Sequence, residues 1–352
     1  MFSADVFSAD VTMEKLKSTI ETYYDGGQVC LVTYTNNKIS AVAIVETINE
    51  PCVISSGSFN PPHEEHVKVL KTCKDHWNRM NRSSPTCLFE LSISNADKGR
   101  IAQDELLTRI LYFTQPISSI GSIGVCEILQ SDTFCVAVTT AAMFLEKKKL
   151  LCNHSNSVFC AGIDTFDRII MPKYYEPVKG IWNNLKIEER SITGITEAIS
   201  LPEVDDTFYI NMLQVPLYVV GRTIKGVKEY LSLDYNFVYE GDASAEDVKK
   251  NQEKDTIMKT LKTGEISTVL QQKVTIVTTE DDKPFVGAEV SSSDIRKDPA
   301  FEPMKTNIEQ FIKTSVQPVT VGGKRIKRKT RKNKRKNKSK SRKNKKRYTY
   351  KK

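Results

Sequence analysis

Ten residues from Gly57 to His66 carry the side chains best suited to chemistry. They read Gly-Ser-Phe-Asn-Pro-Pro-His-Glu-Glu-His, with His63 and His66 three positions apart. Gly57 would let the backbone approach a ligand closely, and the two prolines fix the direction in which the chain enters a helix. A helix start also presents unpaired backbone N–H groups, which bind anions. These residues together indicate a site that handles phosphate.

A strand and a helix must position this run. A short apolar strand at 53–54 precedes it, and apolar side chains then recur three or four positions apart, as expected for one buried face of a helix. Both histidines extend that row toward the helix start, so we expect their imidazoles to face the sheet. The predicted buried row consists of Val67, Leu70, Cys73, Trp77 and Met80.

Strand and helix patterns alternate through the rest of the chain from residue 51. This alternation predicts parallel βαβ units in an α/β fold with a doubly wound, Rossmann-like parallel sheet. Ligands of such sheets bind beyond the carboxyl ends of the strands, at the point where the strand order reverses. Predicted strands lie at 86–94, 134–138, 158–161, 217–220 and 274–277, and predicted helices at 103–113 and 141–149.

The run at 57–66 resembles the signature of the nucleotidyltransferases related to nicotinamide mononucleotide adenylyltransferase, which reads G-S-F-N-P-x-H-x-G-H. Residues 291–296, Ser-Ser-Ser-Asp-Ile-Arg, are similar to the family's second signature, I-S-S-T-x-I-R, with Ser in place of Thr. Residues 162–168 are similar to its G-x-D element. The resemblance covers residues 53–297 and is closest to the fungal and plant, cytidylyltransferase-like branch in segments 89–92, 95–98 and 171–175.

The resemblance implies transfer of an adenylyl group from ATP to nicotinamide mononucleotide, with Mg²⁺ bound to the ATP. It gives catalytic roles to three residues: His63 would hold the α-phosphate, His66 would orient the triphosphate, and Arg296 would bind phosphate oxygens through its planar fork. Asp164 would accept hydrogen bonds from the ribose hydroxyls. The nucleotide-binding residues that it implies are Gly57, Ser58, Phe59, Asn60, Gly162, Asp164, Ser291, Ser292 and Ser293.

One residue departs from the family pattern. Glu65 stands where the family has glycine, and a carboxylate there would bring bulk and like charge toward a phosphate. Either the carboxylate points to solvent or it impairs activity, and we favour the first.

Several interpretations stay open at this stage. The same fold could transfer a cytidylyl group or use another phosphate acceptor, or the chain could be an inactive nucleotide-binding protein associated with nucleic acid. Residues 220–222, Val-Gly-Arg, resemble a further family element but suit an ordinary turn equally well. Asn95 and Asp97 either contact the second substrate or cap the next helix.

Charge divides the chain into two parts. Of its 52 Lys and Arg, 19 lie in residues 324–352, which contain no acid, so residues 1–323 hold 33 basic against 43 acidic side chains. We expect a leader over 1–50 made of a helix and a β-hairpin, a nucleotidyltransferase domain over 51–315 with a surface helical insertion near 240–272, and a disordered basic tail over 316–352. The tail suits nonspecific binding to nucleic acid or nuclear targeting, or it serves only for solubility.

The remaining composition favours an intracellular protein of the nucleus or cytoplasm. Its eight cysteines form no C-x-x-C pair and mostly lie in apolar stretches, which is typical of core residues in a reducing compartment. No apolar run is long enough to span a bilayer.

Overall fold

The computed structural model describes residues 6–24, 28–95, 99–115, 124–152, 154–170, 206–242, 245–288 and 292–315. The chain divides into two compact units, Met1–Val316 and Gln317–Lys352. The second unit, and with it the predicted disordered tail, lies outside the described residues.

Thirteen strands and eleven helices are found within the described residues. The strands are β1 (Val29–Thr35), β2 (Lys38–Val45), β3 (Cys52–Gly57), β4 (Thr86–Ser92), β5 (Ser94–Asn95), β6 (Gly99–Arg100), β7 (Thr133–Thr139), β8 (Val158–Gly162), β9 (Leu217–Ile224), β10 (Val227–Leu231), β11 (Phe237–Glu240), β12 (Val274–Ile276) and β13 (Val286–Gly287). The helices are α1 (Met13–Tyr23), α2 (Glu64–Asn81), α3 (Gln103–Tyr112), α4 (Val125–Leu129), α5 (Phe144–Leu151), α6 (Ile163–Ile170), α7 (Asp206–Met212), α8 (Ala245–Leu261), α9 (Gly264–Lys273), α10 (Ser292–Ile295) and α11 (Phe301–Ser315).

The central sheet is mostly parallel. Its main path runs β11-β10-β9-β8-β3-β4-β7-β1-β2, and β12 and β13 also pair with β9. The pairs from β9 to β7 are parallel, whereas β10, β11 and the hairpin β1–β2 join the two edges in antiparallel register. The predicted α/β class with a mostly parallel sheet is therefore confirmed.

Helices cover both faces of this sheet because successive strand residues point to opposite sides. Val53 belongs to a core with Leu70 and Trp77 of α2, whereas Ile54 belongs to a second core with Phe166 of α6 and Leu270 of α9. The strand order also reverses at β3, since β4 and β7 lie on one side of it and β8 and β9 on the other. The carboxyl ends of β3, β8 and β9 therefore lie side by side.

One sequence prediction needs correction, and one open alternative is excluded. Met80 was predicted to be buried but is 69% exposed, because the buried row of α2 ends at Trp77. The Val-Gly-Arg segment at 220–222 is not a turn. It lies inside β9, which runs on to Ile224 because it pairs with β10 in an antiparallel hairpin.

The segment predicted to be a surface helical insertion is helical and contributes to the interior. Helices α8 and α9 bury Met258, Leu261, Ile266 and Leu270, each no more than 2% exposed, in the second core. Within the part of the chain that the structure describes, no helix has the length and apolar character needed to cross a membrane.

Candidate functional site

The loop after β3 is shaped by the buried ring of Phe59. This residue has a left-handed backbone with φ of 42°, and its ring packs edge-on against Phe89 and near-perpendicular to Phe113, with centroids 5.4 and 5.5 Å apart. A Cβ atom at Gly57 would lie 3.1 Å from the Phe59 ring, closer than ordinary contact. Glycine at position 57 therefore leaves room for the Phe59 ring, a reason that the sequence did not indicate.

Two residues of α3 hold the same loop, and sequence reasoning missed both. Arg109 Nη1 donates to the Ser58 carbonyl at 2.9 Å, and Asn60 Nδ2 donates to Glu105 Oε1 at 3.2 Å. Arg109 and Glu105 pair with each other at 2.7 Å. Their i, i+4 spacing predicts this pair on a helix, but nothing in the sequence says which loop the pair supports.

His63 and His66 form a stacked pair at the start of α2. His63 is the N-cap residue and is 5% exposed, and its backbone N–H donates to His66 Nδ1 at 3.2 Å. The ring centroids are 3.6 Å apart with an interplanar angle of 29°. The His66 ring also meets the Phe59 ring edge-on at 5.1 Å. The imidazoles thus pack against each other and against the loop after β3, and His63 precedes the helical row that was expected to include it.

Both histidines are neutral at pH 7. Burial lowers the pKa of His63 from 6.5 to about 4, and burial together with neighbouring His63 lowers the pKa of His66 well below its usual value. Since His66 Nδ1 accepts a backbone N–H, its proton is on Nε2. His63 Nδ1 is buried and makes no hydrogen bond to the described residues. In the free chain the pair therefore offers neutral N–H donors and acceptors.

The second signature meets the first directly. Ser292 Oγ donates to the Pro61 carbonyl at 2.9 Å, and Arg296 Nη1 donates to the carbonyl of Asn60. Arg296 Nη2 also donates to Ser293 Oγ at 2.9 Å. A guanidinium carries five N–H donors, so these contacts within the described residues engage only part of it. Two segments more than 230 positions apart are thus joined at one place.

Asp164 lies in the first turn of α6, directly after β8, the strand that pairs with β3. Its Oδ2 is 3.2 Å from Arg222 Nη1, and Arg222 also pairs with Glu229 at 3.3 Å. A Cβ atom at Gly162 would lie only 2.8 Å from Asp164 Oδ1. The glycine therefore leaves space for the carboxylate, which gives a steric reason for a glycine two positions before the aspartate in the predicted G-x-D element.

Arg222 also contacts a buried ion cluster made of Asp167, Glu229 and Lys254. Lys254 Nζ lies 2.5 Å from Asp167 Oδ2 and also pairs with Glu229. Burial raises the pKa of Asp167 to about 6, against the opposing effect of Lys254. Because Glu229 is held by Lys254, it presents a fixed carboxylate to Arg222. No feature of the sequence indicated this cluster, whose members lie on three separate elements.

The expectation for Glu65 was wrong. The residue is only 9% exposed, and its Oε2 accepts the backbone N–H of Ala288 at 2.9 Å. It points to β13 instead of solvent because that N–H, at the end of a short strand, needs an acceptor.

Some predicted site residues fall outside the described part of the chain. They are Ser291, Asp97 and segment 171–175, and for Asn95 only the backbone is described.

Comparison with known proteins gives a distant and partial similarity. No family model matches the chain. Over 135 residues, 38% of this chain and 47% of the relative, it is 27% identical to a Schizosaccharomyces pombe (strain 972 / ATCC 24843) protein named "Putative nicotinamide mononucleotide adenylyltransferase". The match thus spans about half the length of this curated relative. It supports a nucleotidyltransferase-like family and no narrower assignment.

Proposed function

We propose that this protein is a nucleotidyltransferase that joins ATP and nicotinamide mononucleotide to give NAD and pyrophosphate. The observation that carries the proposal is the direct contact between the two signatures, in which Arg296 and Ser292 bind the carbonyls of Asn60 and Pro61 beside the stacked imidazoles. The name of the similar yeast protein supports the choice of acceptor.

In the proposed reaction an oxygen of the mononucleotide 5′-phosphate attacks the α-phosphorus of ATP. One P–O bond forms, the bond from the α-phosphorus to the β-phosphate oxygen breaks, and pyrophosphate leaves with both electrons of that bond. The attacking phosphate is already ionised at neutral pH, so no strong base is required. The protein must mainly position two anions and offset their charge.

The described residues suit these two tasks, positioning the phosphates and offsetting their charge. Neutral His63 and His66 would donate N–H groups to phosphate oxygens without the cost of a buried cation. Arg296, which is exposed, would supply the positive charge. Asp164 would bind the adenosine ribose hydroxyls, with Arg222 holding its carboxylate in place.

Mg²⁺ is part of the proposal and would reach the site bound to the triphosphate. The carboxylates of Asp164, Glu105 and Asp294 are already paired with Arg222, Arg109 and Lys297. We therefore propose that the ion takes its ligands mainly from phosphate oxygens and water. When bound, it would neutralise charge on the leaving pyrophosphate.

We further propose that the sheet is of the doubly wound, Rossmann-like type, with the nucleotidyltransferase domain spanning 51–315 and the leader 1–50 attached through the hairpin that pairs with β7. The substrates would then bind at the carboxyl ends of β3 and β8, where the strand order reverses.

The basic tail supports a second, separate proposal. Its 19 basic side chains over residues 324–352 would bind nucleic acid without sequence preference and suit a nuclear or cytoplasmic protein.

A substrate panel tests the proposed reaction. The purified chain is incubated with Mg²⁺, each of the four nucleoside triphosphates and several phosphate acceptors, and pyrophosphate and dinucleotide products are measured. NAD formed from ATP and nicotinamide mononucleotide is the expected result. Pyrophosphate release with CTP alone would assign a cytidylyltransferase, and no release with any pair would indicate an inactive nucleotide-binding protein.

A further inference from the structure

One peptide group just ahead of the second signature is held by side chains on both sides. The Gly287 carbonyl and the Ala288 N–H belong to the same planar peptide bond. Thr223 Oγ1, on β9, donates to that carbonyl at 3.1 Å, and Glu65 Oε2, on α2, accepts that N–H at 2.9 Å. The orientation of this peptide is therefore fixed by two different elements.

Glu65 is well placed to act as the acceptor. Its side chain is 11% exposed, and its second carboxylate oxygen lies 3.4 Å from Lys68 Nζ, so both oxygens are engaged. Hydrogen bonds from backbone N–H groups to a carboxylate are stronger than those between neutral groups. The neighbouring Glu64 also pairs with Lys68, but its side chain is 38% exposed.

The clamped peptide is close in sequence to the proposed phosphate-binding residues. Ser292 follows Ala288 by four positions, a span of at most about 14 Å for an extended chain. At the far end of this stretch, Ser292 binds the Pro61 carbonyl and Arg296 binds the Asn60 carbonyl. Residues before and after 289–291 thus both contact the first signature, and Glu65 makes the contact that comes first along the chain.

We infer that Glu65 is a positioning residue, which clamps the Gly287–Ala288 peptide and thereby sets Ser292 and Arg296 for the phosphates of the nucleotide. In this chain the carboxylate occupies the position at which the resembled family has glycine, and it contributes a hydrogen bond to the Ala288 N–H that glycine could not make. The inference rests on the proposed function for its reference to phosphate.

Three variants separate the clamp from other effects of the carboxylate. Glu65→Ala removes the acceptor, and Glu65→Gln keeps an acceptor oxygen but loses the charge. Glu64→Ala is the matched control, because it removes the more exposed partner of Lys68 and leaves the acceptor of the Ala288 N–H in place. Thr223→Val removes the bond on the other side of the peptide and provides a second route if Glu65→Ala does not fold.

The first measurement is hydrogen exchange at single-residue resolution on the full chain. Loss of a hydrogen bond to a charged group should accelerate exchange at the Ala288 amide by roughly 10- to 100-fold. In Glu65→Ala the Arg296 amide, which donates to Ser292, should accelerate as well. Thr223→Val should accelerate the same two amides, and Glu64→Ala should leave both near wild type.

The second measurement is steady-state kinetics. Glu65→Ala should raise the KM for ATP about tenfold or more with a smaller change in kcat, and Glu65→Gln should restore most of the affinity. Unchanged exchange at Ala288 in Glu65→Ala, or faster exchange with an unchanged KM for ATP, would overturn the inference. A wild-type chain without nucleotidyl transfer would instead contradict the proposed function, since the exchange rates test the clamp independently of turnover.

Discussion

The neutral state of His63 makes the stability of this protein depend on pH in a defined direction. Burial holds the pKa of His63 at about 4 in the folded chain, against 6.5 for an exposed histidine. Between these values the unfolded chain binds a proton that the folded chain does not. The contribution of His63 to the free energy of unfolding is therefore fully present above pH 6.5. It is lost as the pH is lowered through this window, by about 2 kcal/mol at pH 5 and about 3 kcal/mol near pH 4.

Replacing His63 with glutamine removes this contribution while keeping a polar side chain of similar size. Urea unfolding of the wild type and of His63→Gln at intervals from pH 8 to pH 4.5 measures it. The stability difference between the two should shift in favour of the variant by about 2 kcal/mol between pH 8 and pH 5. His154→Gln, the same change at a partly exposed turn, serves as the control. Parallel pH profiles for wild type and His63→Gln would refute the assignment of a buried neutral imidazole.

Three further predictions concern separate parts of the molecule. Arg296→Ala should raise the KM for ATP more than that for the acceptor, and steady-state kinetics showing an effect on the acceptor alone would reverse the proposed orientation of the substrates. Gly162→Ala should displace the Asp164 carboxylate, since the added Cβ would lie 2.8 Å from it, and weaken ATP binding in calorimetry. An unchanged affinity for ATP would contradict the assignment of Asp164 to the ribose hydroxyls. Truncation after Val321 should leave turnover unchanged and abolish binding to DNA, which in the full chain should weaken by about 0.7–0.9 log units per log unit of salt for each phosphate neutralised. If the truncated protein still bound DNA with the same salt dependence, the DNA-binding surface would lie outside the tail.

The features that the sequence predicted well are local in the chain. The spacing of Val67, Leu70, Cys73 and Trp77 indicated α2 and its buried face because side chains three or four apart share one side of a helix. The first signature also begins at the end of a strand, β3, as expected.

The features that it missed depend on partners distant in sequence. Glu65 is buried because it accepts the N–H of Ala288, 223 positions away, and no local pattern indicates that pairing. Arg109 forms the i, i+4 pair expected of α3, yet its bond to Ser58 depends on how α3 packs against the loop. Phe59 explains Gly57 only once the ring's position is known.

The central claim is that the two contacting signatures form a phosphate site in which His63 acts on the reacting phosphate. The most direct measurement is the turnover number for NAD formation from ATP and nicotinamide mononucleotide by wild type and His63→Ala, at pH 8 where both rings are neutral. The account predicts a decrease of about 10² or more in the variant, with a cooperative urea transition retained. Near-wild-type turnover by a folded His63→Ala protein would contradict it.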